Sequence, residues 1–389
     1  MSGYNGLKSM NTIVKFGVSM LSIVFLIVAC ADKPNTNGSE NSEEPKVVNV
    51  TPELYFDGVT IPWGMTWLPD GDMLVTDRSG KLLRVKDGEL VAEISGVPDV
   101  YAQGQGGLLD IVLHPDYETN GWIYITYSST QGMEDGANTA IMRAKLDNNA
   151  LVQSQVLYKA SPNTTRGQHY GSRIAFDSDG YLYFSVGDRG NRDVNPQDVS
   201  RDGGKIYRLN DDGSIPSDNP FVGQDDALEA VYSYGHRNPQ GMTKHPETGR
   251  IWAHEHGPRG GDELNYIEGG KNYGWPVISY GINYNGTSFT DKTEMEGMEQ
   301  PKTYWDPSIA PSGLDFVTSD LYPNWKGKAI VGSLKFNYLV IVELEGTEVT
   351  NKNIVLEGIG RVRNVRQAPD GYIYVGVDGV GIYRIMPEE

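Results

Sequence analysis

Cysteine is almost absent: Cys30 is the only one in 389 residues, so neither an intramolecular disulfide nor a multi-cysteine zinc site is available. Positive charge is scarce as well. With 33 Lys and Arg against 51 Asp and Glu the net charge is -18, which argues against a phosphate-backbone partner, so no nucleic acid is expected. The chain has no G-x-S-x-G elbow, no phosphate-cradling G-x-x-x-x-G-K-[ST] and no G-x-G-x-x-G between a strand and a helix, which removes the common serine-hydrolase and nucleotide-binding readings. No stretch sustains a capped helical period, so helices should be few.

The apolar run Phe16 to Val28 is shorter than the roughly 20 residues that span a bilayer. Lys8 and Lys15 precede it, and it ends in Ile27-Val28-Ala29-Cys30, which resembles a bacterial lipoprotein cleavage box. Residues 1–30 are therefore expected to be a lipoprotein-type signal peptide, with Cys30 the lipidated N-terminus and the only membrane contact. An ordinary signal peptide or a short anchor is the alternative. Either reading exports the chain, to the periplasm or cell envelope. Ala31 to Lys46 is polar and lacks core-forming residues, so residues 31–49 read as a flexible linker.

What the chain has in quantity is Gly (47), Tyr (23) and Pro (21), a composition of short strands and tight turns. A Gly, an alternating apolar stretch, a Pro-Asp-Gly type turn and a Tyr- or Val-rich strand recur from Trp63, Gly107, Gly171, Gly241, Gly313 and Val362. A third strand is visible at Lys81 to Val85, Gly204 to Leu209 and Gly381 to Ile385. One such unit leaves a sheet face exposed, so the units must stack; radial closure buries both faces and hides most edges. The expectation is an all-β, six-bladed β-propeller over residues 50–389. A pair of β-sandwiches is the competing architecture. In a propeller, ligands bind where the blade loops converge on one mouth of the channel.

Several loops hold candidate chemistry. Trp252 to Pro276 combines Gly257, Pro258 and acidic side chains. Gly257 can adopt backbone angles closed to other residues and Pro258 has no N–H, so the pair can turn carbonyl oxygens toward one point. Calcium takes such oxygens, with carboxylates such as Glu263 completing the shell; a Gly-rich turn with solvated acids is the other reading. His169 can serve as a general base if a carboxylate fixes its tautomer, and Asp188 is the candidate partner; otherwise His169 simply hydrogen-bonds a neighbouring loop. Arg237, Asn238, Lys335, Arg361 and Arg363 fall in loops of this acidic chain. Arg361 and Arg363, two apart on a strand, would share a face and present two guanidinium forks to one poly-anionic ligand. Surface salt bridges account for each of them singly.

These segments carry a resemblance. QGGLL (Gln105 to Leu109), HPDY (His114 to Tyr117), H-x-G-S-R-I (His169 to Ile174), GHRNPQG (Gly235 to Gly241), EHGPRGGDELN (Glu255 to Asn265), KNYGWP (Lys271 to Pro276) and GRVRNV (Gly360 to Val365) resemble the soluble quinoprotein glucose/sorbosone dehydrogenase family, most closely its aldose sugar dehydrogenase branch. The resemblance runs from about Leu54 to Ile385. It implies a propeller that holds pyrroloquinoline quinone (PQQ) and calcium and oxidises the anomeric carbon of aldoses to lactones, with an unknown electron acceptor, a quinone or a cytochrome. It gives His169 the role of base and Asp188 that of its orienting carboxylate. Gln105, His169, Arg237, Asn238, Lys335, Arg361 and Arg363 would face the cofactor, with Arg237 stabilising charge on the reduced oxygen. His256 lines the same turn, where the glucose dehydrogenase branch has Gln. The resemblance further implies that Gly257 and Pro258 hold the calcium at the cofactor, while Glu263 and Tyr273 belong to a second, structural calcium site. A calcium-dependent lactonase-type propeller and a non-catalytic sugar-binding propeller are the alternatives.

Overall fold

The computed structural model of the protein describes residues 49–388. The expected signal peptide, Cys30 and all of the expected linker but Asn49 lie outside the described residues. Six four-stranded antiparallel sheets form the blades: β2–β5 (Pro62–Glu93), β6–β9 (Leu108–Lys159), β10–β13 (Ile174–Tyr234), β14–β17 (Pro239–Trp305), β18–β21 (Pro311–Val355), and β22–β24 (Val362–Pro387) completed by β1 (Val50–Phe56). The six-bladed β-propeller read from the repeat is the fold. The one helix among the described residues is the four-residue α1, Tyr117–Asn120, and no described helix is long and apolar enough to cross a membrane.

Why these units close into a ring is visible in the core, where each of six apolar clusters fills the space between two adjacent sheets. Leu74 and Leu82 of the first blade pack with Ile111 and Ile125 of the second. The seam between the last blade and the first is filled by Tyr374 and Ile382 against Met65, Met73 and Val75. Each sheet is thus buried on both faces, so second strands such as β11 (LYFSV), β19 (AIVGS) and β23 (IYVGV) read as near-continuous apolar runs that are buried throughout.

The fourth strand of each blade is the element that the repeat did not show. Strands such as β5 (ELVAE) and β21 (EVTNKNIV) are mostly exposed, so nothing forces a period-2 apolar pattern on them. One of these outer strands closes the ring. β1 pairs antiparallel with β24 from Val50↔Pro387 to Phe56↔Ile382, and its partner is invisible to any local reading because it lies at the other end of the chain.

The innermost strands β2, β6, β14, β18 and β22 each carry a register shift near their first residues. Such bulges leave a residue outside the ladder and re-aim it. Their carbonyls and side chains turn into the channel, and Arg173, just before β10, gathers them. Its guanidinium donates to Gln240 O (2.7 Å), Trp63 O (2.8 Å), Arg363 O (2.9 Å) and Asp110 Oδ1 (3.2 Å), all four on residues within those shifts. Arg173 also lies 4.0 Å from the centre of the Trp63 ring. One buried cation therefore ties blades one, two, four and six to blade three.

Candidate active site

In every blade the first strand leaves the same mouth of the channel and the second returns to it. That topology alone brings together residues far apart in sequence. Gln105, His169, Arg237, Asn238 and Arg361 precede first strands; Arg78, Asp188, His256 to Pro258, Lys335 and Asp378 follow second strands. All of the cationic candidates and His169 thus share one mouth.

His169 sits at φ 58°, a left-handed conformation that costs a non-glycine residue energy and persists only when its surroundings enforce it. Here Gln105 Oε1 accepts the His169 backbone N–H at 2.8 Å, and Asn238 Oδ1 accepts that of Gly171 at 3.1 Å. The ring's Nδ1 lies 2.6 Å from Asp188 Oδ1, so the neutral imidazole carries its proton there and leaves the Nε2 lone pair without a partner among the described residues. Burial and then the nearby Arg237 charge push the His169 pKa down, against the pull of Asp188. The ring is thus neutral at pH 7. Asp188 is held below the usual carboxylate range: burial raises it, but hydrogen bonding and charge from His169, together with Arg237, outweigh that.

Arg237 is buried, its backbone N–H donated to Glu255 Oε2 and its guanidinium to His256 O at 3.0 Å. Glu255 is aligned in turn by His236, whose Nδ1 is 2.8 Å from Glu255 Oε1 and whose Nε2 is 2.8 Å from Ser233 Oγ. Asn238 is fully buried, and its Nδ2 has no hydrogen-bond partner. His256 donates through Nε2 to Pro311 O at 2.7 Å. Burial first, then Arg237, holds its pKa well below that of a free imidazole, so it too is neutral.

Three placements differ from the sequence expectation. Arg361 and Arg363 do not share a strand face, because the bulge between Val362 and Asn364 removes Arg363 from the alternation. Instead Asp378 binds both, at 3.1 Å to Arg361 Nε and 2.8 Å to Arg363 Nη2. Gly257 is absent from the positive-φ residues, which in this turn are Gly260 and Gly261. It is required for space: a Cβ there would stand 2.2 Å from Gly260 O and 2.4 Å from Gly261 O. Finally, the Tyr273 hydroxyl is spent on Tyr266 O (2.6 Å) and on the Glu268 N–H (2.9 Å), three residues along β16 from Glu263, so the structure does not bring it to that carboxylate.

Glu263 instead lies beside Glu255. Asn265 Nδ2 bridges their oxygens at 3.1 and 3.4 Å, and burial followed by the Glu255 charge pushes the Glu263 pKa well up. Asp262 is an organiser of the turn, accepting from Gly257 N, Ser308 Oγ, Ile309 N and Ala310 N. The Gly257 and Pro258 carbonyls accept no hydrogen bond among the described residues, which leaves them as oxygen donors for a hard cation. Lys335 reaches the mouth through its loop, Arg361 Nη1 bonding Leu334 O at 3.0 Å, while its ammonium stands 4.8 Å over the Phe336 ring.

Two residues of the mouth escaped the sequence reading. Arg78 follows β3 and lies within electrostatic reach of Arg361, Arg363 and Asp378, and its guanidinium is half-buried. Only the ring topology, which sets the end of β3 beside the start of β22, could have revealed it. Trp275, in the KNYGWP motif, donates its indole N–H to Asp188 Oδ2 at 2.9 Å. A cleft of about 770 Å³ lies elsewhere, among residues such as Ile341 of β20 and Val355 of β21.

The fold and this mouth, an imidazole–carboxylate pair within a ring of cations, define a propeller enzyme. The family model for Glucose / Sorbosone dehydrogenase matches residues 59–384, and the chain belongs to that family of oxidoreductases. It is 42% identical over 341 residues to the aldose sugar dehydrogenase YliI of Escherichia coli, covering 86% of this chain and 91% of that one. It is 30% identical to quinoprotein glucose dehydrogenase B of Acinetobacter calcoaceticus, over 83% of this chain and 72% of that one. Among solved structures it resembles the apo form of the soluble aldose sugar dehydrogenase from Escherichia coli, with a TM-score of 0.84, 39% identity and coverage of 87% and 100% of the two chains. It also resembles the PQQ-bound aldose sugar dehydrogenase of Streptomyces coelicolor, with a TM-score of 0.72, 30% identity and coverage of 88% and 99%.

Proposed function

We propose that the protein oxidises the anomeric carbon of aldose sugars to the lactone with PQQ and calcium bound in the mouth. The observation that carries this reading is the His169–Asp188 pair, with Nδ1 occupied at 2.6 Å and Nε2 free, beside the buried Arg237. When bound, the cofactor supplies the hydride acceptor, and calcium polarises it.

The residues present suit such a group. In a chain of net charge -18, Arg78, Arg237, Lys335, Arg361 and Arg363 gather at one mouth, a surplus that an anionic cofactor satisfies. The orphaned Asn238 Nδ2 offers a further donor, and Gln105 and His256 complete the wall. Gly257 and Pro258 carbonyls would hold the calcium at the cofactor. Glu263 would belong to a second calcium site, through its carboxylate beside Glu255; any contribution from Tyr273 would have to come from an atom other than its hydroxyl.

His169 Nε2 accepts the proton of the anomeric hydroxyl. Asp188 keeps the ring in the tautomer that can do so and stabilises the imidazolium that results. Arg237, desolvated, with its backbone fixed by Glu255 and its guanidinium held by His256 O, places a positive charge where negative charge develops.

Two measurements test the reading. The protein without its first 30 residues, supplied with calcium and with or without PQQ, is assayed for reduction of an artificial dye by several aldoses; reduction is expected only with PQQ, and reduction that ignores it sinks the proposal. For the metal, Gly257→Ala is expected to weaken calcium binding at least about tenfold, because the new methyl displaces carbonyls that set the turn. Isothermal titration of calcium into chelator-treated protein reads that directly.

We further infer that the chain is exported and tethered by lipid at Cys30, on the strength of Lys8, Lys15 and the Ile27 to Cys30 box. Cys30→Ser is expected to move the protein from the membrane fraction to the soluble fraction of the cell envelope. An unchanged distribution on fractionation would dispose of the anchor.

A further inference from the structure

The KNYGWP motif contains a residue that neither the cofactor nor the metal reading uses. We infer that Trp275 is a positioning residue for the proton-accepting pair: its indole N–H fixes the Asp188 carboxylate and, through it, the His169 ring.

Asp188 accepts three hydrogen bonds. Oδ1 takes His169 Nδ1 at 2.6 Å and Gly190 N at 2.7 Å, while Oδ2 takes Trp275 Nε1 at 2.9 Å. Both oxygens of a carboxylate that is 1% exposed are thereby satisfied, and rotation of the carboxylate plane would break at least one bond. The indole is itself immobilised. Its backbone N–H donates to Gly235 O at 2.8 Å, and its carbonyl accepts from Gln197 Nε2 at 2.7 Å. Its ring packs edge-on to Phe289 at 5.2 Å, with the Arg237 guanidinium 5.3 Å from the ring centre. Trp275 thus joins two parts of the mouth that sequence order separates.

Without the indole N–H, Asp188 Oδ2 becomes a buried acceptor with no donor, an expensive state in a low-dielectric site. The negative charge then concentrates on the bond to His169, which holds its proton more tightly and is less available as a neutral base. The other charged or titratable groups facing His169 are Arg237, Arg189 and His256, and Trp275→Phe leaves all three in place. Phenylalanine also keeps a ring against Phe289 and Arg237.

This inference rests on His169 acting as the base, so its test reads proton binding separately from turnover. In the full chain, the His169 ring protons are followed by NMR against pH, in the wild type, Trp275→Phe, Asp188→Asn and the double variant. Trp275→Phe is expected to raise the His169 midpoint by about half a pH unit or more and to move the acid limb of the kcat–pH profile up by the same amount, with little change in KM. In the Asp188→Asn background the same substitution should leave the midpoint unmoved, because the route of coupling is gone. An unmoved midpoint in Trp275→Phe, or an equal shift in both backgrounds, overturns the role.

Should Trp275→Phe not fold, the wild type carries the test. One 15N-indole resonance must shift with the His169 midpoint and lose that shift in Asp188→Asn; if none does, the role is overturned. Coupling without sugar oxidation would leave Trp275 its role and remove the dehydrogenase reading. Oxidation without coupling would do the reverse.

Discussion

Arg173→Met is expected to destabilise the protein by about 3–5 kcal/mol, the penalty for removing one partner of a buried ion pair, with a fall in Tm of roughly 10 °C. Arg173 is 1% exposed and Asp110 0%. The substitution leaves Asp110 with Arg366 at 3.7 Å as its remaining cation, and strips a donor from the carbonyls of Trp63, Gln240 and Arg363. Burial lowers the Arg173 pKa to about 10, so the guanidinium is charged at neutral pH and the loss is that of a full cation. Urea unfolding followed by tryptophan fluorescence measures the effect. Arg173→Met combined with Asp110→Leu should recover part of it, since removing both charges removes the stranded one. By contrast, Lys302→Ala, which breaks an exposed pair with Glu348, should cost less than about 1 kcal/mol.

His169→Ala is expected to lower kcat by about 10²–10⁴-fold while PQQ binding persists, because the substitution removes a proton acceptor and leaves the cationic wall intact. Quinone binding is read from the absorbance change on titration, and turnover from dye reduction. The pH dependence follows from the same residue. A histidine with a depressed pKa is neutral, and competent as a base, above its folded-state pKa. The rate should therefore be full near pH 7 and fall as pH drops, with a midpoint below the 6.5 of free imidazole. A His169→Ala enzyme that retains wild-type kcat would remove the base assignment.

How far the sequence reveals this protein depends on whether a feature is recorded locally. The turn-and-strand repeat exposes the inner strands because those are buried on both faces, and the six starting points from Trp63 to Val362 fall at or beside the first strands of the six blades. Outer strands such as β5 and β21 are solvated and carry no such mark. At the site, His169, Asp188, Arg237 and Asn238 are found because they sit in loops next to recognisable strands. Arg78 is missed because its neighbours Arg361 and Arg363 are nearly 300 positions away along the chain. Arg173 stands inside a quoted motif, yet its role depends on carbonyls turned inward by bulges in other blades, which no motif encodes. Gly257 serves the turn in a way that its backbone-angle reading did not describe: the turn needs room beside that Cα, and the positive φ belongs to Gly260 and Gly261.

β1 sits in the last blade although it comes first in the chain, and Glu388 N donates to Asn49 O at 2.8 Å. The two ends of the propeller segment are therefore neighbours, sewn together along a single hem. Until both are synthesised the toroid is an open arc with an unpartnered strand and a bare apolar flank at Met65 and Val75, so its last blade can be completed only after nearly the whole polypeptide exists.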